Sequence, residues 1–208
     1  QRRAFFDAEI RPVAMRRGKV VIEVRTRDIW SLRPALEFGR SGGENHSEVG
    51  FEELNFLGLG TQLSLGYTSD PEREARYAAM RAPQIGRARW ELDLLASNSS
   101  DGNSYRVALV RPFFALDTRW SAGADILDDE HREQRYRDGE IVDRYALDHR
   151  SYTLLAGWSQ GLVDNYTQRY TFGLSYDERS FAPVLPIDGV GSTYLPQDRK
   201  LIYPWIGY

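Results

Sequence analysis

Segments of about ten residues in which apolar and polar side chains alternate recur along this chain, and that period admits few folds. Leu63, Leu65 and Tyr67 alternate with Gln62, Ser64, Gly66 and Thr68. Trp90, Leu92, Leu94 and Ala96 alternate with Arg89, Glu91, Asp93 and Ser97. The pattern returns at Trp120, Ala122, Ala124 and Ile126, at Tyr152, Leu154, Ala156 and Trp158, and at Tyr170, Phe172, Leu174 and Tyr176. A strand points successive side chains to opposite faces, so each segment reads as a strand with one apolar and one polar face. Repeated at this length, the pattern is that of a transmembrane β-barrel, whose strands hide their hydrophobicity by alternating it.

Alternation alone does not say which face is inside, because a soluble barrel with an apolar interior would give the same string. Strand length, the connections and the small residues on the polar faces favour the membrane form. Gly66, Ser121, Gly123, Gly157, Gly173 and Ser175 suit a barrel interior better than a solvated surface. A mean hydropathy of -0.53 and the lack of a long apolar run exclude transmembrane helices, which need roughly 20 such residues. The 12 Tyr and 5 Trp suit interfacial girdles. There is no cysteine, hence no disulfide framework or thiolate metal site. A net charge of -3 gives no support for a nucleic-acid partner. Lys19 and Lys200 are the only lysines among 27 basic residues, and arginine on a barrel interior can pair bidentately with carboxylates.

The chain divides near residue 30. Residues 5–13 and 19–27 read as two strands around a turn at Arg16, Arg17 and Gly18, with Asp28 to Ser31 as a junction. Residues 31–208 carry ten candidate strands, near 34–41, 47–56, 61–69, 74–82, 88–98, 103–111, 118–127, 147–159, 165–177 and 199–208. Connections after even strands are compact, at Leu57 to Gly60, Pro83 to Arg87, Pro112 to Asp117 and Gly161 to Asp164. Those after odd strands are polar and mostly longer, notably Asp128 to Ala146 and Glu178 to Asp198. Such asymmetry is expected of outer-membrane barrels. The Asp138-Gly139 pair predicts that the first of the long loops protrudes as a hairpin. With Gln1 at its start and a strand at its end, the sequence reads as a piece of a longer precursor.

On these residues the chain resembles the BamA/TamA-type outer-membrane assembly barrels, the bacterial surface antigen family with POTRA domains. The stretch KVVIEVRTRDIW, Lys19 to Trp30, looks like a last POTRA strand and its linker. Gly50 to Tyr67 is similar to the family's second and third barrel strands around an N-L-x-G-x-G turn, here Asn55-Phe56-Leu57-Gly58-Leu59-Gly60. The turns beginning at Pro83 and Pro112 resemble the family's proline-led periplasmic turns. The family's Arg-Gly-Phe loop lies in later strands and has no counterpart in these residues.

The resemblance implies an all-β, antiparallel up-and-down transmembrane barrel, partial here at about ten strands, preceded by the end of a small α+β POTRA-like module over 1–30. It implies a Gram-negative outer-membrane location and a role in inserting, assembling or translocating other proteins through a weakly paired seam, without cofactor, metal or catalysis. The implied partners are outer-membrane lipid and lipopolysaccharide, unfolded outer-membrane client proteins, and periplasmic or lipoprotein partners. The seam would be the first barrel strand: Pro34, Ala35, Leu36, Glu37, Phe38, Gly39 and Arg40. Pro34 lacks an N–H and Gly39 weakens a strand, although each also has an ordinary structural reading. The lipid-facing residues would be Leu63, Leu65, Tyr67, Trp90, Leu92, Leu94, Trp120, Ile126, Tyr152, Leu154, Trp158, Phe172, Leu174 and Tyr176.

Two other function classes stay open at the level of sequence. Glu91, Asp93, Arg89, Arg106 and Arg169 would form interior ion pairs, or line the pore of a passive porin or transporter. A barrel-embedded lipid hydrolase would need Ser and His together, and Ser151 near His149 lacks an evident third partner. His131 beside Asp128, Asp129 and Glu130 could sit at a divalent cation, but such a cluster is more often a solvated loop.

Overall fold

The computed structural model describes residues 5–16, 18–28, 31–41, 44–187 and 189–208. It is all-β, and twelve strands follow one another with antiparallel pairing throughout. No helix among the described residues is long and apolar enough to cross a membrane, which does not bear on crossing by strands.

Strands β1 (Phe5–Arg16) and β2 (Lys19–Asp28) form a two-stranded sheet of their own. Ile29 and Trp30, at the expected junction, and Arg17, in the expected turn, lie outside the described residues.

The remaining strands are β3 (Leu32–Ser41), β4 (Glu44–Phe56), β5 (Thr61–Ser69), β6 (Glu74–Ile85), β7 (Trp90–Ser99), β8 (Gly102–Arg111), β9 (Trp120–Arg137), β10 (Glu140–Ser159), β11 (Arg169–Pro183) and β12 (Arg199–Gly207). They form one ten-stranded sheet in which each strand pairs with its sequence neighbours. This is the up-and-down arrangement that alternating segments with short connections dictate.

One end of the sheet, the turn end, carries the β4–β5, β6–β7, β8–β9 and β10–β11 connections. At the β4–β5 turn the Asn55 side-chain oxygen accepts from the Gly60 amide at 2.7 Å. Leu57, Gly58 and Gly60 adopt φ of 55°, 72° and 68° there, a conformation that glycine takes without strain. At the opposite, hairpin end the hairpin expected at Asp138-Gly139 is present, but built of strand rather than loop. Residues 128–146 form no loop. They continue β9 and β10 into a long ribbon closed by Asp138 and Gly139, with φ of 53° and 87°. Two successive left-handed residues make the turn whose twist matches a hairpin. The β11–β12 loop is correspondingly shorter than expected, because β11 runs on to Pro183. The strand expected from residue 165 begins at Arg169, since Val163 and Tyr166 pair across a tight turn.

Candidate functional site

The apolar face of the ten-stranded sheet is continuous from β5 to β12. Leu63, Met80, Leu94, Val107, Ile126, Tyr152, Tyr176 and Ile202 are successive cross-strand partners from β5 to β12. One step nearer the turn end run Ala82, Leu92, Leu109, Ala124, Leu154, Leu174 and Pro204. Large side chains of this face are open: Leu154 is 61% exposed and Phe172 51%. All fourteen residues expected to face lipid lie on this face.

Both borders of the apolar face are marked chemically. Towards the turn end, Trp90 meets Trp120 edge-on at 6.3 Å, and Trp158 stacks on Tyr170 at 6.2 Å. Towards the hairpin end, Tyr152 stacks on Tyr176 at 5.7 Å. Immediately beyond that pair runs the row Asp128, Arg150, Glu178 and Lys200. There Lys200 reaches Glu178 at 2.6 Å, and Arg150 reaches Asp148 at 3.0 Å and Asp128 at 3.6 Å. An apolar stripe edged by aromatic rings and then by paired charges is the profile of a surface matched to a bilayer.

The polar face is cross-braced instead. Arg106 makes a bidentate contact with Asp125, at 2.6 Å for the shorter arm, and Arg81 lies 3.6 Å from Asp93. Arg33 reaches Glu52 at 2.6 Å, and the Tyr77 hydroxyl donates to Glu48 at 2.5 Å. Glycine makes room for aromatic rings on this face. A Cβ at Gly66 would meet the Tyr77 ring, one at Gly157 would meet Phe113, and one at Gly173 would collide with Trp205. Trp205 uses the space to donate from Nε1 to Ser175 Oγ at 3.1 Å.

The expected interior ion pairs are therefore corrected in part. Arg106 and Asp93 do pair, with Asp125 and Arg81 across the strands. Arg89 instead stacks on Phe114 at 4.6 Å, and Arg169 stacks on Phe113 at 5.2 Å while donating to the Ala115 carbonyl at 3.0 Å. The reason is position: both sit at the turn end, where ring faces and open carbonyls outnumber carboxylates. No ion pair of Glu91 occurs among the described residues.

The histidines are held locally. His131 Nδ1 lies 2.9 Å from Asp129 and Nε2 lies 3.0 Å from Glu133. No group of three or more such side chains is placed to hold a metal ion among the described residues. His149 Nε2 lies 2.8 Å from Asp177, a partner that strand register supplies and sequence spacing did not show. No hydrogen bond joins His149 to Ser151 among the described residues.

At the hairpin end the β11–β12 loop is clasped to β10. The fully buried Asp143 carboxylate accepts from the Thr193 and Tyr194 amides at 2.8 and 3.1 Å and from Arg135 at 3.0 Å. The Thr193 amide holds this carboxyl below the usual range; burial opposes it and Arg135 assists. Ser192 adds a bond to the Arg144 carbonyl at 2.5 Å. In the β7–β8 turn burial would raise Asp101, but Ser99 and Arg73 outweigh it and keep the carboxyl low. Asp101, Arg73, His131 and Tyr136 line a polar hollow of about 330 Å³ there.

The expected seam residues all lie in β3, which pairs on one side with β4 and has no other neighbour among the described residues. Its hydrogen-bond parity can be derived. Leu54 donates to the Ser31 carbonyl at 3.0 Å, and the β3–β4 register has no shift. Odd-numbered residues of β3 therefore bond to β4, and Leu32, Pro34, Leu36, Phe38 and Arg40 turn their backbone groups to the open edge. Pro34 interrupts no existing bond; its missing donor is on that edge. The same parity, followed from the Ser159 amide on the Arg119 carbonyl at 2.9 Å through β10 and β11, puts Pro204 on the open edge of β12. A Cβ at Gly39 would make only ordinary contact with the His46 ring, at 3.4 Å.

No protein-family model matches the chain, and no curated protein matches it. Among solved structures, the chain is similar to BamA from Haemophilus ducreyi lacking POTRA domains 1–3, at 11% identity and a TM-score of 0.48. The match covers 91% of this chain and 48% of that one, so the chain spans about half that protein's length. Nothing about activity follows from a likeness at this level.

Proposed function

We propose that this chain forms part of the wall of an outer-membrane β-barrel that helps other proteins insert into, assemble in or cross the outer membrane. The apolar face, with its two chemically marked borders, supports the membrane placement. The single observation that carries the assembly role is the open edge of β3, where Leu36 and Phe38 turn their backbone groups outward next to Pro34. Such an edge can template an incoming strand by backbone pairing. Unfolded client barrels are the partners this reading names, with β1 and β2 as the end of a periplasmic POTRA-like module.

The test uses the full-length protein in liposomes and follows the folding of an unfolded client barrel by its gel mobility without boiling. Faster folding than in empty liposomes is expected. Phe38→Pro removes a donor from the open edge while sparing the β3–β4 ladder, and it should abolish the acceleration. No acceleration by the unmodified protein, with steady ion conductance instead, would favour a passive channel. The charged pairs Arg106–Asp125 and Arg81–Asp93 on the polar face are the observation on that side.

A further inference from the structure

Arg33, Arg81, Arg106 and Arg150 each have a carboxylate partner. Two at the turn-end border of the apolar face do not. Arg111, the last residue of β8, is 9% exposed and pairs with Ala122 on the apolar face. Its guanidinium carbon lies over the Trp120 ring at 3.6 Å and over the Phe114 ring at 5.1 Å. Arg89 approaches the same Phe114 ring at 4.6 Å. Neither makes an ion pair among the described residues. Arg111 spends one N–H on the Ala88 carbonyl at 3.0 Å and another on the Trp120 carbonyl, from a group that carries five.

Two uncompensated guanidinium groups held by ring faces are an unusual use of charge. Stacking on Trp and Phe stabilises a cation without neutralising it, and the backbone carbonyls fix its plane. Arg89, which is exposed, and Arg111, at 9% exposure, then adjoin whatever lies beside the aromatic border. On the membrane reading, which this inference rests on, that is the headgroup level of the leaflet at the turn end.

We propose that Arg111 and Arg89 form a binding site for the phosphate of an anionic phospholipid, with Trp90 and Trp120 lying along the glycerol and upper acyl chain. The apolar rings beside the cations select a lipid over free phosphate, because a soluble anion would leave those rings uncovered. Planar guanidinium groups match a phosphodiester through paired, charge-assisted hydrogen bonds.

The test reconstitutes the full-length protein in phosphatidylcholine vesicles containing a minority of phosphatidylglycerol. Retained lipids are counted by native mass spectrometry after extraction. Retention of phosphatidylglycerol should exceed its bulk share by about tenfold, given the attraction of two basic side chains to an anionic lipid. Arg89→Gln, an exposed turn substitution, should lower the preference, and adding Arg111→Gln should remove it. Arg106→Gln on the polar face should leave it intact. Arg111→Lys keeps the charge but not the plane and should give partial retention. Equal retention of both lipids by correctly inserted protein overturns the site alone. Protein that fails to float with the vesicles overturns the membrane reading and the site with it. Release of the lipid by excess inorganic phosphate would make this a free-phosphate site and overturn the lipid assignment.

Discussion

Placing a charge in the middle of the apolar face tests the membrane reading most directly. Leu154 is 61% exposed on that face, between Ala124 and Leu174. It lies two residues from Tyr152 at one border and four from Trp158 at the other. At about 3.4 Å per residue these are roughly 7 and 14 Å along the strand, so Leu154 and Ala156 are the outward positions nearest the centre. An arginine at the midplane of a barrel's lipid face is destabilising by about 2–4 kcal/mol, falling to roughly 0–1 kcal/mol near the interfaces. Ile126, two residues from Asp128, is the matched border position. Urea titration in phospholipid vesicles, with a slope of about 2 kcal/mol/M, should move the midpoint down by roughly 1–2 M for Leu154→Arg. Ile126→Arg should change it by less than about 0.5 M by the same slope. Equal shifts for the two, or none for Leu154→Arg, would refute the idea that a bilayer lies against this face.

On the polar face, Gly173→Ala should destabilise by about 1–3 kcal/mol by pushing on Trp205, and Trp205→Leu in the same chain should recover part of that loss in the same titration. The Arg106–Asp125 pair, with side chains 53% and 31% exposed, should show a double-mutant coupling of no more than about 1 kcal/mol. Asp143→Ala should release residues 184–198 from β10, read as faster protease cleavage within that loop. Because the Asp143 carboxyl is held below its ordinary value, its contribution is complete above the unfolded-state pKa of about 3.9 and is lost as pH falls through the lower folded value. The loop should therefore stay protected at neutral and mildly acidic pH and open only in stronger acid, and opening near neutrality would contradict the clasp.

How far the fold was legible follows from where alternation carries it. In β5 to β8 one face is apolar and the other polar, and the expected strands agree with the observed ones to within three residues at each boundary. Beyond Asp128 both faces of β9 are polar: Glu130, Arg132 and Gln134 on one and His131, Glu133 and Arg135 on the other. The alternation vanishes there although the backbone ladder continues to Arg137. Only the Asp-Gly turn signalled the ribbon. The clasp was out of reach, because Asp143 meets Thr193 and Tyr194 some fifty residues away. Cross-strand partners such as Asp177 for His149 depend on register, which no single strand's sequence contains. Arg89 and Arg169 were misjudged because a charge beside a turn can end on a ring as easily as on a carboxylate.

Pro34 and Pro204 share a further property. β3 and β12 run in opposite directions, yet both prolines fall in the half of their strand nearer the turn end. The open edges are thus complete towards the hairpins and notched towards the turns. Were these two edges to meet each other, or each to receive a separate strand, the join would close like a zipper with missing teeth at one end. Any tear would start there, in the leaflet beside the tight turns, and run towards the hairpins.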